Sequence, residues 1–296
     1  MKIKELIDRK LGIIFIFPVV FIMVVLFIYP LLNGFFLSFT YKNLFTPKFK
    51  FAGLSHYISI FYSAYYWLCV RNTFVYTFLC VSIGNFLGLG IALLLNQEIK
   101  LRGLWRGIFL IPWVTPGVVA CAISRWALND LYGVINYVLI NLRIIDKPIL
   151  WLAASEWAMS TVAMVSIWKG FAFVAVVMLA CLQGLPRELQ DAASIDGAST
   201  WQRFLYITFP MILPLFALIT LFTFITTFNM FDIIWLLTKG GPNNATMTLP
   251  LLVYEVAFQT YKVGKGLAVA VTMGLYMSIV VFLYFKLLQP RLEYKL

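Results

Sequence analysis

The chain has 296 residues, 62% of them hydrophobic and 12% charged, and its mean hydropathy is +0.91. A soluble domain carries about a quarter of its residues as charges, so this composition excludes a soluble enzyme, a disordered tail and a nucleic-acid-binding domain, and leaves an integral membrane protein. The net charge of +11 then reads as basic residues held beside the cytoplasmic ends of membrane spans, with no bearing on acidic partners.

Residues 1–10 are polar and basic and are expected to form a cytoplasmic N-terminus. The apolar run that follows is too long for a signal-peptide core and has no small-residue cleavage site, so it is expected to stay as a first span. Crossing the hydrocarbon core takes about 20 apolar residues as a helix. Six runs of that kind occur, at 11–32, 72–95, 107–126, 159–181, 209–231 and 266–288. The expected architecture is therefore an all-α, six-helix transmembrane domain over 11–288, with a cytoplasmic tail at 289–296. Pro112 and Pro116, and Pro210 and Pro214, lie in or beside the third and fifth runs, where helix kinks explain them as well as gating does.

Lys2, Lys4, Arg9 and Lys10 precede the first run, Lys100, Arg102 and Arg106 fill the short second connection, and Arg291 and Lys295 close the chain. An even number of spans puts all of them on one side. Positive residues resist translocation, so that side is expected to be the cytoplasm. Lys42, Lys48, Lys50, Arg143, Lys147 and Lys239 lie in the opposite connections, but over much longer stretches.

Chemistry is sparse. Cys69, Cys80, Cys121 and Cys181 lack CxxC spacing, which weakens metal and disulfide readings. His56 is the single histidine and reads as a solvated residue of an external segment. Gly264-Lys265-Gly266 lacks the upstream glycine and following hydroxyl of a phosphate loop, and neither HExxH nor a nucleophile elbow occurs. The chain is therefore not expected to be an enzyme or to hold a cofactor or metal of its own. Asn244-Ala245-Thr246 matches a glycosylation acceptor, a pattern short enough for chance. Ionisable residues inside a span cost roughly 2.5–3.5 kcal/mol on insertion scales and usually face a cavity or the bundle interior. Arg125 and Asp232 sit at run ends, where snorkelling explains them equally well. Lys169 lies near the middle of the fourth run, so either it faces a cavity or that span is shifted.

The connection at 184–210 carries the densest local signals. Pro186 suits a first helical position, Leu189, Ala192 and Ala193 share one helix face, and Asp196-Gly197 breaks the helix. Ser199 and Gln202 form a capping box for a second helix. Small residues at Ala192, Ala193, Gly197 and Ala198 would let another surface approach this elbow. Asp191-Ala192-Ala193, three residues, Gly197, nine residues and Ile207-x-Phe209-Pro210 resemble the EAA loop of membrane subunits of ATP-binding-cassette importers, with Asp191 for the usual Glu and Phe209 for the usual Leu. A mere connector with well-capped helices leaves this spacing unexplained. Arg71-Asn72-Thr73, Pro112-Trp113-Val114-Thr115-Pro116, Ile167-Trp168-Lys169-Gly170 and the run Phe228-Asn229 to Gly240-Gly241-Pro242 are similar to the sugar-permease branch of that family. Ala172 stands where the branch often has Pro. The Gly-Gly-Pro segment resembles the first of its two paired permease types.

The resemblance implies a type I importer bundle in a bacterial or archaeal plasma membrane. It also implies four partners: a second, different permease, two copies of an ATPase subunit that bind ATP and Mg, an extracellular or periplasmic solute-binding protein, and a carbohydrate substrate. Glu188, Asp191, Ala192, Ala193, Asp196 and Gly197 would form the ATPase-coupling loop. A sugar path needs polar groups for hydroxyls and aromatic faces for C–H surfaces. On one helix Phe224, Phe228, Phe231 and Trp235 form a stripe, Thr220, Thr223 and Thr227 a polar one, and Asn229 and Asp232 stand three apart on an adjoining face. Thr223, Thr227, Phe228, Asn229, Asp232, Trp235 and Lys169 are the expected path residues. The simpler alternative is an aromatic stripe packed on lipid or a neighbouring helix, with backbone-bonded threonines. Two rival functions remain at this point, an ion-coupled secondary transporter acting alone and a receptor-like membrane protein.

Overall fold

The computed structural model describes residues 15–43, 45 and 50–293. The expected N-terminal segment 1–10, the start of the first run at 11–14, Lys48 and Lys295 lie outside the described residues. In chain order the helices are α1 (Phe15–Leu37), α2 (Ser55–Phe61), α3 (Ala64–Asn96), α4 (Arg102–Val114), α5 (Gly117–Ala127), α6 (Val134–Asn141), α7 (Ser155–Gln183), α8 (Arg187–Ile195), α9 (Thr200–Phe228), α10 (Asp232–Thr238), α11 (Leu249–Gln259) and α12 (Val263–Glu293). One isolated antiparallel bridge, between Thr40 and Phe51, accompanies them.

Helices α1, α3, α7, α9 and α12 are long and apolar enough to cross a bilayer, and α4 with α5 adds a sixth span only as a pair bent by 95°. The run at 107–126 is thus not the continuous helix expected from its apolarity. Pro116 supplies no N–H and drives the preceding residue out of the α region, so Thr115 is extended (φ −64, ψ 125) and α4 stops at Val114. The helix of the fifth run also stops short of the expected end at 231, because α9 ends at Phe228 and a new helix begins just beyond the run, at Asp232. In α1 and α9 the turns at Val24–Ile28 and Phe204–Thr208 are π-helical. Each contains the carbonyl four residues before a proline, Pro30 or Pro210, and the wider turn gives the ring room.

The chain divides into two compact units, Met1–Tyr66 with Leu252–Leu275 and Trp67–Leu251 with Tyr276–Leu296. In the first unit the polar segment after α1 folds on itself. His56 corrects the expectation of a solvated side chain: it is buried, its Nε2 lies 3.0 Å from the Thr40 carbonyl oxygen, and its ring stands edge-on to Tyr41. A polar stretch of sequence gives no warning of such burial. Gly264 donates its N–H to the Lys42 carbonyl, and any side chain there would collide with the Thr40 carbonyl oxygen. Gly264-Lys265-Gly266 is therefore a close-packing element, with Lys265 Nζ donating to Ser59 Oγ at 2.9 Å.

The second unit is organised by small residues at helix contacts. A β-carbon on Gly88 of α3 would lie 2.6 Å from Val174 Cβ of α7, and Ala92, Ala172 and Ala175 are buried beside it. Close backbone approach of this kind drives helix association in lipid, where apolar side chains gain little from leaving the bilayer. Gly88→Leu is expected to lower the thermal unfolding midpoint and the folded yield in membranes, since overpacking costs about 1–3 kcal/mol. Size-exclusion profiles of the detergent-extracted variant check this. All four cysteines are free thiols.

Candidate functional site

The break between α4 and α5 leaves carbonyls without helical partners. Lys169, from the middle of α7, answers two of them: its Nζ donates to Thr115 O at 3.0 Å and Trp113 O at 3.4 Å. A cation at a helix C-terminus is favourable on electrostatic grounds as well. Helix α10 packs on both α5 and α7, which brings Asp232 to the same place. An atom at the Cβ position of Gly117 would lie 3.3 Å from Asp232 Oδ2 and 3.9 Å from Lys169 Cε, so Gly117 leaves room for both charged side chains.

Lys169 and Asp232 line a cavity of about 390 Å³ framed by α3, α4, α7, α9 and the start of α10. Ligand pockets begin near 300 Å³, so the space accommodates a small polar solute. Trp113, Phe173 and Phe222 form one continuous aromatic wall, with ring centroids 5.9 and 5.5 Å apart. Thr223, Thr226, Thr227 and Ser166 add hydroxyls. Thr223 is held by Asn85 of α3, whose Nδ2 donates to Thr220 Oγ1 and Thr223 Oγ1 at 3.1 Å each. The threonine stripe on α9 is thus partly a helix clamp.

Four of the expected path residues, Thr223, Thr227, Asp232 and Lys169, meet at this cavity, and three do not line it. Phe228 is buried against Phe74 and Phe224, and Trp235 stacks on Phe231 with Lys239 over its ring. Asn229 is exposed and donates to Ile225 O and Met277 Sδ. The single stripe from Phe224 to Trp235 and the Asn229–Asp232 pairing fail for one reason, that the helix ends at Phe228. Arg125 is exposed in the last turn of α5, where its charge suits the helix terminus.

The elbow forms largely as its sequence suggests. Pro186 is the N-cap of α8, one position earlier than expected. Gly197 has φ +80, Ala198 N donates to Ala193 O and Gly197 N to Ser194 O, which is a Schellman termination. Ser199 and Gln202 make the reciprocal capping box at the start of α9. Glu188, Asp191, Ala192 and Asp196 are exposed and Ala193 is half-buried, while Gln190 Nε2 ties α8 to Thr208 Oγ1 at 2.9 Å. Leu189 and Ile195 are exposed apolar residues on this short polar helix, Ile195 at 86%. Asp191 also lines a second, larger cavity.

The family profile described as "Binding-protein-dependent transport system inner membrane component" matches residues 84–294, well over half of the chain. The chain belongs to this family. It is a multi-pass inner-membrane permease subunit and not an enzyme, which removes the receptor-like reading and the carrier acting alone. Its relatives include the trehalose/maltose transport system permease protein MalF of Thermococcus litoralis, 33% identical over 93% of this chain and 92% of the relative. The multiple sugar-binding transport system permease protein MsmF of Streptococcus mutans is 30% identical over 97% of this chain and 98% of its own length. The fold is shared with a bacterial ABC transporter involved in the import of the acidic polysaccharide alginate, with TM-score 0.82, 20% identity, and coverage of 98% of this chain and 99% of that one.

Two motifs of the permease prove to be partners. Asn72 Nδ2 donates to Asn244 O and Met247 O, and Leu249 N donates to Thr73 Oγ1 at 2.8 Å, so Asn72-Thr73 fastens the loop after Gly240-Gly241-Pro242. Thr246 of the glycosylation-like triplet is fully buried and bonded to Thr238 Oγ1 and Gly241 O, so its hydroxyl serves the loop. Sequence reading missed Asn85, Trp113 as a cavity residue, Phe173 and Phe222. Phe173 lies four residues after Lys169 and so shares its helix face, a signal that was present.

Proposed function

We propose that this permease forms half of the translocation path for a sugar or oligosaccharide, paired with a second, different permease. Two copies of an ATPase subunit that bind ATP and Mg would drive it through the 184–210 loop, and an extracellular or periplasmic binding protein would deliver the substrate. The observation that carries the carbohydrate reading is the cavity, whose lining combines the aromatic wall of Trp113, Phe173 and Phe222 with the polar side chains of Thr227 and Asp232. Stacking surfaces beside convergent polar groups suit a solute with C–H faces and many hydroxyls. The sugar-transport relatives support the same substrate class.

Trp113→Ala is expected to raise the half-saturation concentration for uptake roughly five- to tenfold, the scale of a lost aromatic contact. Uptake in proteoliposomes of the assembled importer with its binding protein tests this. An unchanged half-saturation point and maximal rate would take the wall out of the path.

Both termini and the 184–210 loop belong on the cytoplasmic side in this reading, supported by basic residues such as Lys100, Arg102 and Arg106. In a cysteine-free background, Ile195→Cys should react with an impermeant maleimide only after permeabilisation, and Leu131→Cys, 88% exposed, in intact cells. The reverse labelling pattern would invert the topology.

A further inference from the structure

The second cavity, of about 1060 Å³, lies among the ends of α3, α4, α7 and the elbow, and three arginines line it, Arg102, Arg106 and Arg203. Arg102 is committed to the chain: its Nε donates to Leu95 O and its Nη2 to Asn96 O, closing the C-terminus of α3. The other two differ. The Nε atoms of Arg106 and Arg203 are both buried and have no hydrogen-bond partner, and the guanidinium of Arg203 makes one long bond, from Nη2 to Thr200 Oγ1 at 3.4 Å. Glu98 and Asp191 line the same cavity, yet neither accepts from these atoms. A buried donor left unpaired is costly, and two arginine side chains that line one cavity suit an acceptor with several oxygens and negative charge.

The depth of the two arginines says what kind of acceptor. Arg106 lies in the second turn of α4, flanked by the exposed apolar residues Leu104, Trp105 and Ile108. Arg203 lies in the first turn of α9, flanked by the exposed Trp201, Leu205 and Tyr206. Tryptophan and tyrosine at the ends of spans mark the headgroup level. These aromatic neighbours place both arginines at the level expected of lipid phosphates, in a basic pocket between helix ends, the setting in which anionic headgroups are held. The adjacent apolar faces would receive acyl chains, which a free anion lacks. The two segments echo each other weakly in sequence, with Arg106 six residues before Pro112-x-x-x-Pro116 and Arg203 seven before Pro210-x-x-x-Pro214.

We propose that this cavity binds the phosphate of an anionic phospholipid between Arg106 and Arg203, on the coupling-loop face of the membrane. The bound lipid would tie the start of α4 to the start of α9, and so link the broken span to the elbow.

The test is lipid retention by the complete importer, ATPase subunits included, after reconstitution in vesicles of equal parts phosphatidylglycerol and phosphatidylcholine, followed by detergent extraction and native mass spectrometry. Wild type is expected to retain phosphatidylglycerol in preference to phosphatidylcholine. R106Q/R203Q should weaken that preference roughly 30-fold, from about 1 kcal/mol for each basic residue. R106K/R203K, which keeps the charges, should retain most of it, and R143Q, outside the cavity, all of it. Where R106Q/R203Q fails to assemble, R106Q alone is read by the same ratio. Three results would overturn the proposal. One is no lipid preference in wild type, and another is an unchanged preference in the glutamine variants. The third is inorganic phosphate alone raising the thermal unfolding midpoint as much as phosphatidylglycerol does, the mark of a small-anion pocket.

Discussion

Valine in place of Gly197 is expected to abolish uptake while leaving membrane insertion intact. Gly197 has φ +80, a backbone conformation in which a β-branched residue is a severe outlier, and its N–H and that of Ala198 close the end of α8 through Ser194 O and Ala193 O. Strain of about 1–3 kcal/mol at one residue is small beside the stability of a membrane bundle but large for a nine-residue helix that, in the proposed coupling role, would present one face to a partner. Within the chain a β-carbon at 197 meets nothing within 4 Å, so folding tolerates the volume and the loss falls on the elbow's shape and its docking. Gly197→Ala should be milder, and Asp191→Ala intermediate, since Asp191 is exposed and supports no intrachain contact that the turn depends on. Uptake, sugar-stimulated ATP hydrolysis and co-purification of the ATPase subunit separate the cases. Normal coupling in the assembled valine variant would refute a coupling role for the elbow.

What was legible in the sequence depended on how local its cause was. The spans α3 and α7 follow from apolar runs, and the elbow follows from capping residues, Ser199 with Gln202 and the Asp196-Gly197 stop, whose interactions reach no more than five residues. The break at Thr115-Pro116 is not legible in composition, which continues across it, and the two prolines read equally well as kinks. Periodicity puts Phe228 on a stripe with Phe231 and Trp235 only on the assumption of an unbroken helix, and nothing in the apolar pattern marks the stop at Asn229. His56 and Asn85 show a third limit. Each is polar and buried because a particular distant group accepts or donates, the Thr40 carbonyl in one case and Thr220 and Thr223 in the other. The charged pair was half legible: the expense of Lys169 in a span pointed to a cavity, but its anchoring by Trp113 and Thr115 carbonyls could be found only in three dimensions.

That anchoring leads to the second large effect. Lys169→Met is expected to reduce uptake by more than tenfold and to lower the thermal unfolding midpoint, because the carbonyls of Trp113 and Thr115 lose a charged donor worth about 1.5–3 kcal/mol. Two accounts of Lys169 compete. If its task is to neutralise Asp232 in the cavity, removing both charges should restore function, and K169M/D232N would transport better than K169M. If its task is to hold the bent α4–α5 pair, the double variant stays defective, since both bonds to the Trp113 and Thr115 carbonyls come from Lys169 Nζ and the change at position 232 does not restore them. The geometry favours the second account: Nζ lies 3.0 Å from Thr115 O, while the carboxylate of Asp232 is placed beside Gly117 and faces the cavity. Asp232→Asn alone should then spare stability and alter uptake, which separates a residue that shapes the span from one that meets the solute. Lys169→Arg should restore part of the loss, its fork reaching the same carbonyls from a bulkier head. Recovery in K169M/D232N to the level of Asp232→Asn would sink the clamp and leave charge balance as the function of Lys169.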